Sequence, residues 1–575
     1  MNILGLNLFH ADTSACLVKD GKLISAVEEE RFSRIKHFTG FPLESIKFCL
    51  KESNLKIADI DFIAVNNNKM YNYREKLSFG LKNLYRKNIL LRAHTLFTRP
   101  NINDLFLKNL EYDVIDKIKY IPHHLSHIAS TYLQSECNEA LGFSFDGSGD
   151  FSTTEIYDLY NNDLKLIEKI LYPHSLGIFY QAFTQFLGFK NYGDEYKVMG
   201  LAAYGEPIYK ERIQKVLNDD NFFNLDLKYF DHHERSINYN FDSGSPYFDD
   251  LFSKKLEYVI GKSRKRNEPV TKFHMDVASS VQFVLENTVI KKLNELQKKK
   301  NYENLCLSGG CAFNSVLNGK IVDQTKFKNV FTSPNVGDAG GAVGAALIVA
   351  MENKENIVKK SSMFLGTEYT NDYIKENIVE KNLSNETVEV SFYEDFEELT
   401  KIVAKHLSEK KIIGWFQGKM EWGPRALGNR SILADPTNPN VRDLINIKIK
   451  KREDFRPFAP SVLHEKAEDY FHIKKESSFM SSVFVAKDNV KKLVPSVVHV
   501  DGSARVQTVS KEDNHKYHQL IQSFEKNSGI PILLNTSLNV NEPICENPEN
   551  AYEIFTQTLM DVLVLEQWVF IKKHA

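Results

Sequence analysis

The sequence predicts an α/β chain of two domains, the first of them internally duplicated. Strand-like runs alternate with turn chemistry in ILGLNLFH, ADTS and ACLVKDGKLISAVEEE, where Asp20-Gly21 supplies a hairpin turn. The same order of strand, small acidic turn, strand, Asn-Asn-Asp turn and strand returns in ALGFSFDGSGDFSTTEIYDLYNNDLKLIEKIL, the mark of a duplication. Two such units suggest two lobes facing one ligand cleft. Later in the chain, helical stretches such as FEELTKIVAKHLSEKK alternate with the strand-like IIGWFQ, SVLH, SSVFVA and PILLN, a second α/β pattern.

Between these regions, ENLCLSGGCAFNSVLNGKI reads as a buried strand, a Gly-Gly turn and a helix. TSPNVGDAGGAVGAAL follows as a Gly/Ala-rich turn entering a helix that must pack tightly. MENKENIVKKSS, residues 351–362, is charged and has no apolar period, so the boundary is placed there: 1–355 and 363–575. A chain of 575 residues exceeds one core, which predicts two large or three smaller domains.

Apolar residues at 42% and charged residues at 26% are ordinary for a folded soluble protein. A formal charge of −2 gives no general attraction to nucleic acid or an anionic membrane, so any anion site is local. The N-terminus reads as a strand opening and not a signal peptide, and no run reaches the about 18 apolar residues of a membrane span. Six cysteines without a CxxC pair read as reduced thiols, and the expected location is cytoplasmic.

In PHHLSHIAS, Pro122 at a helix start puts His123 and His127 on one face, four residues apart, a spacing able to hold a metal ion. Asp146 in DGSGD and Asp338 in GDAGG, both at strand ends, are the carboxylates to complete the set; the alternative is that each simply forms a turn. Two imidazoles and two carboxylates suit iron(II) or zinc and leave positions for phosphate oxygens. Gly309-Gly310, Gly340-Gly341 and Gly147/Gly149 would let backbone N–H groups reach phosphates or adenine, and none fits a Walker or dinucleotide fingerprint.

Arg425, Arg430, Arg452, Arg456 and Arg505 lie among small and apolar residues in GPRALGNRS, KREDFRPFAPS and DGSARVQTV. Converging guanidinium forks would capture a phosphate dianion. Asn535-Thr536-Ser537, after PILL, adds groups able to orient a small amide, with a turn as the alternative. His10 sits at a strand end close to Asp12, and Lys36-His37 follows an acidic run, a base and a cation suited to acyl transfer. Residues 69–99 hold eight Lys or Arg and one Glu, which reads as an exposed helical face, with acceptor binding as the alternative.

The strings FHADTSACLVKDG, EEERFSRIKHFTGFP, PHHLSHIAS, FDGSGD, GDEYKVMGLAAYG, LSGGCAFN, GDAGGAVGAAL, EWGPRALGNRSIL, REDFRPFAPSVL, DGSARVQTV and PILLNTSLN resemble, in order, those of the nodulation-type and tobramycin-type O-carbamoyltransferases. The resemblance runs from residue 3 to the end. It implies an N-terminal domain of the actin and sugar-kinase ATPase type, made of two duplicated lobes and close to tRNA threonylcarbamoyl-transfer enzymes. It also implies a C-terminal α/β domain similar to YrdC-like threonylcarbamoyl-adenylate synthases. Carried over residue by residue, it implies that His123, His127, Asp146 and Asp338 hold a divalent iron that also binds nucleotide phosphates. Asp146, Gly177, Gly310 and Asn314 match nucleotide contacts. Arg425, Arg456, Arg505 and Asn535 match a carbamoyl phosphate pocket. His10 and Lys36 match residues at the acceptor, with His10 as candidate general base. Where relatives such as the tobramycin enzyme carry an Asp two residues before this His, Leu8 stands here and Asp12 follows instead.

The implied substrates are carbamoyl phosphate, ATP with magnesium as a companion, and a hydroxyl-bearing acceptor. A family-like homodimer is compatible with this, and neither nucleic acid nor membrane is expected as a partner. Two rival functions share parts of this pattern. A tRNA threonylcarbamoyl transferase should show a basic surface, which the charge balance opposes; a regulatory nucleotide-binding module would have no use for both residue sets.

Overall fold

The computed structural model describes residues 1–83, 100–218, 222–234, 244–247, 249–382, 386–473 and 475–573. Its contacts divide the chain into Met1–Ser361 and Ser362–Ala575.

The first unit contains two five-stranded sheets. One joins β1 (Asn2–Asn7), β2 (Ser14–Lys19), β3 (Lys22–Glu28), β4 (Phe62–Val65) and β5 (Ile118–Tyr120) in the order β3-β2-β1-β4-β5. β1, β2 and β3 form an antiparallel meander around the Asp20-Gly21 turn, while β4 and β5 run parallel to β1. The other joins β6 (Glu139–Gly149), β7 (Ser152–Tyr160), β8 (Asp163–Leu171), β9 (Asn304–Ser308) and β10 (Asn329–Phe331) in the order β8-β7-β6-β9-β10. Its strand senses repeat those of the first sheet one for one. The repeat seen in the sequence is therefore a repeat of topology, the two-lobe arrangement of the actin and sugar-kinase ATPase type. Parallel strands need crossover connections that the helices supply.

Two of those helices are pressed together by glycine. α1 (His123–Tyr132) meets the all-but-buried α5 (Asp338–Glu352), and a Cβ at Gly344 would stand 1.7 Å from the Ser126 carbonyl oxygen. Cβ atoms at Gly340 and Gly341 would stand 1.9 Å from the Asn335 oxygen and 2.4 Å from Asn66 Nδ2. The Gly340-Gly341 pair, expected to let amides reach a ligand, instead lets α5 approach its neighbours. The remaining helices used below are α2 (Leu176–Phe186), α3 (Lys272–Lys299) and α4 (Ser315–Gln324). Of the basic stretch 69–99, the helix Tyr73–Lys82 buries no residue, and residues 84–99 lie outside the described residues.

The second unit is built on an eight-stranded sheet of β11 (Val388–Phe392), β12 (Ile413–Phe416), β13 (Arg430–Ala434), β14 (Ala459–Leu463), β15 (Gln507–Val509), β16 (Ile532–Ser537), β17 (Val562–Leu565) and β18 (Trp568–Lys572). The order is β11-β18-β17-β12-β13-β16-β14-β15. Side chains alternate between two buried faces, as the period of a strand requires. Ile413, Trp415, Leu433, Leu533, Val562 and Val564 share one core with α6 (Phe396–Ser408) and α7 (His515–Ser528). Phe416, Ile432, Leu534, Leu563 and Leu565 face the other, which α8 (Pro548–Gln557) covers. SSVFVA contributes only the two-residue strand Phe484–Val485, paired with Ser503–Ala504. Among the described residues no helix is long and apolar enough to cross a membrane.

Candidate active site

The first cluster lies where α1, the end of β6 and the start of α5 meet. Asp150 accepts hydrogen bonds from the backbone N–H of His123 and of Asn68, each at 2.9 Å, and so fixes the N-terminus of α1. His123 and His127 then project from adjacent turns with their Nε2 atoms 3.0 Å apart. His127 Nε2 lies 3.2 Å from Asp146 Oδ2 and 3.5 Å from Asp338 Oδ1; the corresponding His123 distances are 3.8 and 3.6 Å.

Metal bonds of about 2.0–2.2 Å to nitrogen and oxygen imply ligand separations of about 3.0–3.5 Å. The His127 separations fall in that range, those from His123 to the carboxylates lie just beyond it, and all four donor atoms lie within 4.8 Å of one another. The Nδ1 atoms of both imidazoles are buried with no hydrogen-bond partner, so the rings are organised through their Nε2 side. Glycines make room behind these side chains. A Cβ at Gly149 would stand 2.0 Å from His123 Cδ2, and one at Gly177 2.7 Å from the Asp146 carbonyl.

Protonation follows from the crowding. Burial opposes a charge on His127, yet Asp146 and Asp338 outweigh it and raise its pKa to about 9. Burial also works against the carboxylates. For Asp146 the two histidines prevail and hold it well below the usual carboxylate range, whereas Asp338, facing the Asp146 charge, is pushed up. His124 is no ligand: its Nδ1 pairs with Ser144 Oγ at 2.8 Å, and burial with its two histidine neighbours keeps it neutral.

The expected nucleotide contacts surround Asp146. Its Oδ1 accepts from Gly147 N–H at 2.6 Å and its Oδ2 from Gly310 N–H at 3.1 Å. Gly147 has open space where a side chain would stand. Asn314 is differently engaged, since its Oδ1 caps α4 through Leu317 N–H at 3.0 Å and its amide pairs twice with Gln282 of α3. His10 lies beside the cluster, its ring centroid 5.5 Å from that of His123. Lys36 is exposed, next to half-buried His37.

The second cluster is assembled by strand order. β16 is antiparallel to both β13 and β14, with Ser431 opposite Ser537 and Ala459 opposite Asn535, and β14 runs parallel to β15 with Ser461 beside Gln507. The starts of β13, β14 and β15 and the end of β16 therefore share one edge. The loops carrying Arg425, Arg456 and Arg505 enter there, next to Asn535. Arg505 is raised in energy by burial and then by the positive charges of Arg425, Arg452 and Arg456, which push its pKa well below the ordinary arginine value. Its Nε is buried without a hydrogen-bond partner. Arg452 donates to Asn446 Oδ1 at 2.7 Å and Arg456 is paired with Glu453 at 3.5 Å, and the positive charge gathered around Arg505 could hold an anion.

Asn535 sits below, its Nδ2 donating to Ala426 O, Ser461 Oγ and Gln507 Oε1 at 3.1, 3.1 and 3.0 Å, while its buried Oδ1 has no partner. Glu421 shapes the loop above: one oxygen accepts from the backbone N–H groups of Leu427, Asn429 and Arg430 at 2.8, 2.8 and 3.0 Å.

Arg430 departs from the expected anion role. It is fully buried, donates to Gln417 O, Asn429 O and Thr367 O at 2.8, 3.1 and 2.9 Å, and lies over the Phe416 ring at 3.5 Å. Its two terminal nitrogens are engaged on carbonyls, while its buried Nε has no hydrogen-bond partner. Arg430→Met should leave these carbonyls unpaired and lower stability by about 3 kcal/mol, read as a fall in the urea midpoint.

The sequence matches the family described as carbamoyltransferase N-terminus over residues 2–347 and as carbamoyltransferase C-terminus over residues 404–572. The chain belongs to the carbamoyltransferase family. Nodulation protein NolNO of Sinorhizobium fredii is 34% identical, the alignment covering 99% of this chain and 80% of that protein. A Synechocystis protein, sll1178, is 38% identical over 99% of this chain and 97% of its own length. The crystal structure of T. kodakarensis HypF aligns with 61% of this carbamoyltransferase and 48% of that chain, at 15% identity and a TM-score of 0.31, a distance that carries no argument.

Proposed function

We propose that this carbamoyltransferase is an ATP-dependent O-carbamoyltransferase of the cytoplasm, making carbamoyl-adenylate from carbamoyl phosphate and ATP and passing the carbamoyl group to a hydroxyl of a small molecule or glycan. The observation that carries the reading is Arg505, buried among three further arginines, a charge arrangement that a phosphate dianion would complete. In this reading residues 363–575, the YrdC-like part by sequence resemblance, form the adenylate, and residues 1–355 complete the transfer.

Arg425, Arg456 and Arg505 hold the phosphate of carbamoyl phosphate, and the unpartnered Oδ1 of Asn535 accepts an N–H of the carbamoyl amide. Water releases the phosphate and leaves carbamate. A carbamate oxygen then attacks the α-phosphorus of ATP, magnesium accompanying the nucleotide, and pyrophosphate departs. The product is a mixed anhydride whose leaving group is AMP. In the first unit, Gly147 and Gly310 line the approach to Asp146, where the nucleotide phosphates are placed, with Gly177 and Asn314 as its further expected contacts. His123, His127, Asp146 and Asp338 are assigned as ligands of iron(II) or zinc; such a cation would neutralise phosphate charge. His10 takes the proton of the acceptor hydroxyl as its oxygen attacks the carbamoyl carbon, and Lys36 supplies positive charge nearby.

The test is incubation with ATP and carbamoyl phosphate, measuring AMP, pyrophosphate and phosphate. Pyrophosphate release that requires carbamoyl phosphate is expected; ATP hydrolysis independent of it would sink the reading.

A further inference from the structure

His10 lies on a loop that cannot hold its own shape. Phe9 and Asp12, on either side of it, have φ of 60° and 57°, the left-handed region that costs a non-glycine residue about 1 kcal/mol or more. Such a loop persists only where its surroundings fix it. Buried Asn7 donates to the carbonyls of Ala11 and Asp12, each at 2.9 Å, and Thr13 N–H bonds to Phe38 O at 3.0 Å. The strongest tie is charged: Asp12 Oδ1 meets His37 Nδ1 at 2.8 Å.

His37 is held in turn. Its backbone N–H donates to Glu30 Oε2 at 2.8 Å, and a Cβ at Gly193 would stand 2.4 Å from its Nε2, so the ring is packed against that turn, with Tyr192 edge-on at 5.1 Å. Glu30 continues to Arg31 at 2.9 Å, Arg31 to Glu28 at 3.4 Å, and Glu28 accepts from Asn335 Nδ2 at 2.9 Å, three residues before Asp338. Asp12, Glu30 and His37 could between them hold a cation. Their arrangement is instead that of an ion-pair chain, because Arg31 already balances Glu30. Burial opposes a charge on His37, yet Asp12 and Glu30 raise its pKa to about 9, so the ring is cationic at neutral pH.

We propose that His37 is a positioning residue for the transfer step, its pair with Asp12 holding the loop so that His10 stays beside His123. The inference rests on assigning transfer to the first unit, and it gives a separate role to His37, which the sequence offered only together with Lys36. A loop displaced by about 1 Å would cost about a hundredfold in rate.

The experiment compares wild type, His37→Gln and Asp12→Asn as full-length, metal-loaded protein. The probe is added carbamoyl-adenylate with water as acceptor, read as AMP release. Each variant is expected to lower kcat about a hundredfold with KM within about twofold. Pyrophosphate release from ATP and carbamoyl phosphate should stay unchanged at a temperature well below the unfolding midpoint, which the lost ion pair lowers, while the Thr13 amide exchanges faster. Wild-type turnover in either variant overturns the proposal, as does a loss of AMP release matched by an equal loss of pyrophosphate release. If wild type releases no pyrophosphate, the functional reading has failed, and exchange at Thr13 still decides the role of His37.

Discussion

Arg505→Ala should lower pyrophosphate release from ATP and carbamoyl phosphate by about a hundred- to a thousandfold, the usual loss when a preorganised donor to an anion is removed. AMP release from added carbamoyl-adenylate should stay within about twofold of wild type. Loss of both activities together would count against a division of the two steps between the units. The same substitution should raise the unfolding midpoint, because Arg505 is buried, lacks a partner at Nε and faces the charges of Arg425, Arg452 and Arg456. A residue that destabilises the free protein yet is needed for turnover is one kept for its ligand. Arg430→Met makes the contrasting case, since it should fall in stability first and lose activity only as a consequence.

If the four side chains hold a cation as proposed, removing it, or replacing one of them as in His127→Ala, should lower AMP release from added carbamoyl-adenylate at least about a hundredfold while pyrophosphate release continues. A chelator without effect on either step would remove the metal from the reading. The acid–base consequence has a definite sign. In metal-free protein His127 has its pKa raised from 6.5 to about 9, so its stabilisation is fully present below about pH 6.5 and is lost as pH rises through 9. Stability of chelated protein should therefore fall across that window. Metal-loaded protein, whose His127 must already be neutral to act as a ligand, should show no such fall. Thermal melts at pH 6.5 and 9, with and without chelator, make the comparison.

Much of this arrangement was legible in local patterns. The two meanders announced themselves through Asp20-Gly21 and Asn161-Asn162-Asp163, because turn chemistry is local. The His123 and His127 spacing is also a property of one helix, and two separate carboxylates completed the set, Asp146 near the end of β6 as expected and Asp338 at the start of α5 and not at a strand end. What local pattern could not give was the other end of each interaction. Arg425 and Arg430 belong to one short motif among apolar neighbours, but only the sheet order sends Arg425 to the common edge and turns Arg430 onto three carbonyls. Asn314 carries the signature of a polar site residue, yet its partner, Gln282, is 32 positions away. Asp150 stood within DGSGD; its bonds to Asn68 and His123 cross between the two repeats. The glycines of GDAGGAVG were equally compatible with ligand approach and with helix contact, and the choice rests on Asn335, Asn66 and Ser126, none of them a sequence neighbour.

The contact between Gly344 and the Ser126 carbonyl has an evolutionary consequence. α1 carries His123 and His127, and α5 begins at Asp338, so main chain touching main chain sets how far imidazole stands from carboxylate. No side chain intervenes whose gradual exchange could retune that separation. Divergence among descendants of this chain should therefore spare position 344 and the facing turn together. A lineage could thus change elsewhere while keeping one inherited calibration of the distance between these imidazoles and carboxylates.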